Sequence, residues 1–154
     1  MPIPEYIQTV RNKIGHDYLF LPGVVVVVFD DAGRVLLNQR SDSGQWALIS
    51  GIPEPGEQPA DVAVRECFEE TGVKIVVRGL VDAYTSSVFT HANGDVAQYL
   101  TVVYRAHKIS GEPVVGDAES LAVRFFALDE LPPIRSDLMR VLQAAVVENN
   151  AKTR

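Results

Sequence analysis

A single cysteine, Cys67, leaves this chain unable to close an internal disulfide, which suits a reducing, cytoplasmic setting. Basic residues are in the minority. Fourteen lysines and arginines face 20 acids, for a net charge of −6, and the pI is near 5.0. That balance excludes the broad basic surface through which nucleic acid is held non-specifically. It does not exclude small phosphate-bearing molecules, because a bound cation reverses the local sign. Long hydrophobic runs are also missing. "VVVVVF" at 24–29 falls far short of the roughly 20 residues that cross a bilayer, so no membrane partner is expected. Glu5, Arg11, Lys13 and Asp17 interrupt the first 20 positions, and no secretory leader is read there. Neither internal repeats nor low-complexity tracts break the chain, and no nucleophile-elbow motif argues for a Ser-His-Asp site.

What remains is ordinary globular composition: 154 residues, 47% hydrophobic and 22% charged, enough for one domain with one core. Residues 1–154 are read as that domain. Ile3, Ile7, Val10 and Ile14 fall at helical spacing and stop at Gly15, predicting a helix over about 4–14 as an extension ahead of the main fold. "PGVVVVVFDDAGRVLLNQR" reads as two strands about an Asp-Asp-Ala-Gly turn, the first buried on both faces. "WALIS" is a short strand. A Gly/Pro loop at 51–58 leads into a helix from Pro59 that Gly72 ends. Two β-rich stretches flank a turn at "HANGD", 91–95. A loop at 110–120, a strand at 121–128 and a helix over 138–150 complete the order. Strands and helices mix too irregularly for a doubly wound sheet, so the expected fold class is α/β, a sandwich of helices around a mixed β-sheet.

The segment "GIPEPGEQPADVAVRECFEETGV", 51–73, concentrates five glutamates with one arginine and three prolines. On a helix at 100° per residue, Ala60, Val64, Cys67, Phe68 and Thr71 make the stripe expected to face the core. Glu66, Glu69 and Glu70 fall on the other side, with Arg65 four residues before Glu69. One reading is a solvated acidic face. The other is a site for a hard divalent cation, since crowded like charges cost a few tenths of a kcal/mol per pair and Mg²⁺ takes oxygen ligands together with substrate phosphates.

The spacing decides between them. Gly51, Glu57, Arg65, Glu66, Glu69, Glu70 and Gly72 spell G-x5-E-x7-R-E-C-x-E-E-x-G-V, which resembles the full signature of the Nudix hydrolases. Seven fixed positions match by chance on the order of once in 10⁸ starts at average residue usage. "GRVLLNQR" and Trp46 before the signature, and "FFALDELP" after it, are similar to the flanks of a bacterial Nudix domain, so the resemblance covers roughly 20–135.

That resemblance implies a Nudix-type α/β/α sandwich and an enzyme that uses Mg²⁺ or Mn²⁺ to hydrolyse a nucleoside diphosphate linked to another moiety. It makes Glu66 and Glu70 the leading metal ligands, with Glu69 sharing the site. Glu57 becomes an outer ligand and the carbonyl of Ser50 a further one. Arg65 is expected to orient Glu69 or Glu57, and Gly51 and Gly72 are backbone positions. Glu119, six residues before Phe125, sits where many relatives place the general base, with Glu69 as its rival. Two departures stand out: Ile49-Ser50-Gly51 replaces Pro-Gly-Gly, and Ala122 stands where many relatives have a second glutamate. Weaker candidates for substrate contact are Arg40 (a phosphate, against a surface ion pair), Trp46 (a stacked base, against core packing) and Tyr84, with His91, Asn93, Asp95 and Gln98 near the 91–95 turn. His16 and His107 lack metal-ligand spacing. ADP-ribose-like sugar nucleotides lead as substrates, then (d)NTPs or oxidised nucleotides. The alternative of another class is a non-catalytic nucleotide-binding module. The expected partner is a small-molecule nucleotide, and a homodimer is admitted.

Overall fold

The computed structural model describes residues 3–152. The elements run α1 (Glu5–Ile14), β1 (Leu19–Phe29), β2 (Val35–Arg40), β3 (Trp46–Gly51), α2 (Pro59–Thr71), β4 (Lys74–Thr85), β5 (Phe89–Thr90), β6 (Val96–Ser110), β7 (Ser120–Phe126) and α3 (Ser136–Lys152). The sheet order is β4-β6-β1-β3-β2-β7, with β5 on β6. β1 and β6 run parallel from Leu19↔Ala97 to Phe29↔His107, and the other pairings are antiparallel. The mixed sheet between helices agrees with the sequence reading.

The valine run explains why the sheet is covered on both sides. Along β1, side chains alternate, and both sets are buried. Val24, Val26 and Val28 join Leu36, Ile49 and Ala106 under α2. Val25, Val27 and Phe29 join Leu37, Val103 and α3. β1 begins at Leu19, three residues ahead of Pro22, where the sequence reading placed its start. Pro22 is tolerated because β3 pairs only from Val24 onward, leaving Pro22 opposite Leu100 of β6 alone. A smaller cluster of Ile7, Leu21, Ile52 and Ala97 seats α1 at the end of the sheet. Among the described residues no helix is long and apolar enough to cross a membrane.

The orientation of α2 differs from the expected one. Val64 and Phe68, read as core, are 39% and 50% exposed. The buried face is Val62, Ala63, Glu66, Cys67, Glu70 and Thr71. The apolar-stripe argument assumes that carboxylates turn to water. Here the helix is rolled so that two of them turn inward, and Phe68 lies outside beneath the Lys74 ammonium, 5.8 Å from its ring centre.

Candidate functional site

Pro59 opens α2, where its missing N–H is no loss. Gly72 closes it with φ 72°, donating its N–H to the Phe68 carbonyl at 2.9 Å. This left-handed position favours glycine. The next carbonyls are satisfied from outside the helix. The loop 111–119 donates Val114 N–H to Thr71 O at 2.8 Å and Gly116 N–H to Glu70 O at 3.0 Å, filling the acceptors a helix end leaves open. The loop lies so close that a Cβ on Gly116 would sit 2.0 Å from Glu69 O. This lacing sets Asp117 and Glu119 beside Glu70, with one carboxylate oxygen from each within 4.8 Å of the others. Ser41 anchors the far end of the loop, giving the Glu119 carbonyl a backbone N–H at 2.8 Å and a hydroxyl at 2.9 Å.

Glu66 reaches the sheet through the gap left by Gly51. A Cβ there would stand 2.3 Å from Glu66 Cγ. The glycine therefore makes room for a buried carboxylate. Glu66 Oε1 accepts from Arg65 Nη1 at 2.9 Å. Its Oε2 is buried and finds no hydrogen-bond partner among the described residues. Burial raises the pKa of Glu66. Glu70 is pushed up to about 8 by burial and by the charge of Glu66. Such a set of buried, mutually repelling oxygens fits a hard divalent cation, which lowers the cost of keeping them ionised.

Arg65 gathers the other acids. It donates from Nε to Glu57 Oε2 at 2.7 Å and from Nη2 to Oε1 at 2.8 Å. Its Nη1 lies 3.3 Å from Glu69 Oε2. Both Glu57 oxygens are thus engaged by one guanidinium, which holds the carboxyl below its usual range. Glu57 is turned toward Arg65, and Glu69 keeps a side chain that is 47% exposed. Ser50 lies in β3 one residue before Gly51.

Of the three substrate candidates, the structure brings Arg40 alone near the carboxylates. It pairs with Asp42 through Nε at 3.0 Å and Nη2 at 2.8 Å, and its charge acts on Glu70. Trp46 packs edge-on against Phe126, ring centres 4.9 Å apart, in the α3 core. Tyr84 also joins that core, under the Arg140 guanidinium at 4.8 Å. These two lie on the sheet face away from α2. A cavity of about 350 Å³ opens beside Arg40 and Glu119, and its lining includes His91, Asn93, Asp95 and Tyr99. Gln98 is elsewhere, bonded to Tyr18 and Ser86. His16 pairs with Asp95 at 2.7 Å and His107 with Asn149 at 2.8 Å.

Sequence reasoning missed Asp117 and Gly116. The signal available was "GDAES" at 116–120, where an acid stands two residues before Glu119. It was not decisive because a loop acid is solvated by default.

Residues 19–145 match the family model described as NUDIX domain. The chain is 35% identical to a "MutT-like protein" of Streptomyces ambofaciens over 108 residues, 70% of this chain and 64% of that one. It therefore spans just under two thirds of that relative. It is 31% identical over 130 residues to an "ADP-ribose pyrophosphatase" of Methanocaldococcus jannaschii, 81% of this chain and 74% of the relative. A crystal structure of a MutT NUDIX hydrolase from Burkholderia pseudomallei superposes with a TM-score of 0.67 at 30% identity, covering 82% of this chain and 98% of that one.

Proposed function

The chain belongs to the Nudix family, and from that premise we propose that it is a metal-dependent pyrophosphohydrolase. Its substrate is a nucleoside diphosphate linked to a further group, with ADP-ribose-like sugar nucleotides ahead of (d)NTPs and oxidised nucleotides. The observation that carries this reading is the joining of Glu70, one of two buried glutamates of α2, to Asp117 and Glu119 from a separate loop, next to a cavity that also holds Arg40. The relation to the Methanocaldococcus ADP-ribose pyrophosphatase, over 81% of this chain, favours the sugar-nucleotide class.

Glu66, Glu70 and Asp117 would hold Mg²⁺ or Mn²⁺, which when bound neutralises diphosphate charge and lowers the pKa of water. Arg65 keeps Glu66 and Glu69 in place while withholding Glu57 from the cluster, a positioning task. Arg40, beside the carboxylates and donating to Asp42, attracts a phosphate oxygen. Glu119 is the group we assign to take the proton of the attacking water on a carboxylate oxygen, because its backbone is pinned by Ser41. Glu69 is too exposed and too tied to Arg65 to serve as well. The chain is read as one domain working in the cytoplasm.

The test is a substrate panel of ADP-ribose, other sugar nucleotides, dinucleoside polyphosphates, NTPs, dNTPs and 8-oxo-dGTP, with Mg²⁺ or Mn²⁺, beside Glu70→Gln. Turnover of ADP-ribose or a close analogue that vanishes in the variant is the expected result. Failure of every compound to turn over, with nucleotide binding kept, would replace the hydrolase with a binding module.

A further inference from the structure

We propose that α1 is a specificity element, which with Tyr99 and His91 builds the compartment for the nucleoside end of the substrate. The substrate class rests on the hydrolase reading above. The compartment rests on its own observations.

The cavity, at about 350 Å³, falls within the roughly 300–1,000 Å³ of small-molecule pockets. Its lining is chemically divided. Arg40, Ser41, Asp42 and Glu119 tie it to the carboxylate cluster. Ile3, Ile7, Leu21, Ile52 and Ala97 offer no side-chain hydrogen bonds. The lining also holds Arg11, Asn93 and Asp95 and two aromatic groups, Tyr99 and His91, whose Oη and Nε2 are 2.9 Å apart. A hydroxyl-rich sugar set against the isoleucines would lose hydration without replacement bonds. A nucleobase has a flat, weakly hydrated face for the apolar wall and aromatic groups. It also has edge nitrogens and oxygens for a tyrosine hydroxyl or an imidazole. The diphosphate then points toward Arg40 and the acids, where the cation would be.

α1 is fixed firmly enough to act as a wall. Ile7 is 4% exposed and packs on Leu21, Ile52 and Ala97. Arg11 bonds the Val96 carbonyl at 2.9 Å and lies 3.6 Å from Asp95, and it also donates to the Asp17 carbonyl. Yet α1 lies ahead of residues 19–145, the segment that matches the family. The part of the apolar wall made by Ile3 and Ile7 therefore lies outside the shared domain, and an element added to a shared domain is where selectivity among substrates of one chemistry is expected to reside. Ile3 is 43% exposed and can be enlarged without overpacking the core.

The experiment is binding of AMP, GMP, CMP, UMP and ribose 5-phosphate in EDTA, followed by ligand-observed NMR, to the wild type, Ile3→Trp and Tyr99→Phe, with thermal melts alongside. At least one nucleotide should bind the wild type about tenfold more tightly than ribose 5-phosphate, and Ile3→Trp should weaken it by about tenfold at an unchanged melting temperature. If Ile3→Trp melts lower, Tyr99→Phe, which deletes one hydroxyl, carries the test with about threefold weakening. Ribose 5-phosphate binding as tightly as every nucleotide would overturn the proposal. So would nucleotide binding that neither folded variant alters. Metal-dependent turnover is scored separately. Nucleotide binding that depends on Ile3 and Tyr99 without any turnover sinks the hydrolase and supports the compartment. Turnover with KM unmoved in both variants sinks the compartment and leaves the hydrolase.

Discussion

α2 and α3 cover opposite faces of one sheet and bury opposite chemistry. The inner face of α3 is Leu138, Val141, Leu142 and Ala145, with Asn149 near its end. The inner face of α2 has Val62, Ala63 and Cys67 beside Glu66 and Glu70. Burying a leucine stabilises the fold by roughly 1.5–3 kcal/mol. Burying a carboxylate opposes folding unless a partner compensates. α3 is therefore chiefly a source of stability, whereas α2 gives some up to hold charge at the candidate site. Loop 111–119 supports this division, since it caps α2 and delivers Asp117 and Glu119 to the charged side only.

The comparison can be broken from either side. Leu142, 1% exposed, should show the largest effect: Leu142→Ala should lower the unfolding free energy by about 2–5 kcal/mol. Turnover per folded molecule should stay near wild type. Urea unfolding with parallel kinetics checks both halves, and a selective loss of turnover would contradict the division. Glu70→Gln should do the reverse. Activity should fall at least about 100-fold, since even outer-shell partners of metal ligands are worth 10–100-fold. The melting temperature in EDTA at a pH above about 8, where Glu70 is ionised, should hold or rise, because a repulsive buried charge is gone.

Gly51→Ala sharpens the contrast within α2's own side. The new Cβ would meet Glu66 at 2.3 Å, so the carboxylate must move. A stability loss of about 1–3 kcal/mol should accompany weaker Mg²⁺ binding, measured by titration calorimetry. Unchanged Mg²⁺ affinity would remove Glu66 from the proposed ligands. The last probe leaves the sequence unaltered and reads Cys67, whose thiol burial pushes up to about 12. Raising a thiol's pKa favours its neutral form, so at pH 8 only about one in 10⁴ native thiols is ionised. Native protein should react with a disulfide reagent orders of magnitude more slowly than denatured protein. Rapid native labelling would show that the α2 face opens readily.

Much of the fold was legible because its signals are local. The valine run announced a strand buried twice over, and Pro59 and Gly72 marked the helix ends. The turn at 91–95 was readable from Asn-Gly-Asp, and there His91 N–H donates to the Asp95 carbonyl at 2.8 Å. The roll of α2 was not legible. A pattern rule sends glutamates to water, and it is the space above Gly51, on another element, that lets Glu66 turn inward. Tyr84 was drawn toward the site by its nearness in sequence to the 91–95 turn. Strand alternation instead sends it into the α3 core with Trp46.

By itself, then, the sequence determined the family signature, the identities and spacing of the acids on α2, and the order of strands and helices. These depend on residues within a few turns of one another. Only the tertiary structure decided which acids meet. Glu70, Asp117 and Glu119 are brought together by two backbone hydrogen bonds from a loop to a helix end, and Ile3 and Tyr99 by the seating of α1 on the sheet. Those contacts join residues distant in the chain, and no local periodicity encodes them.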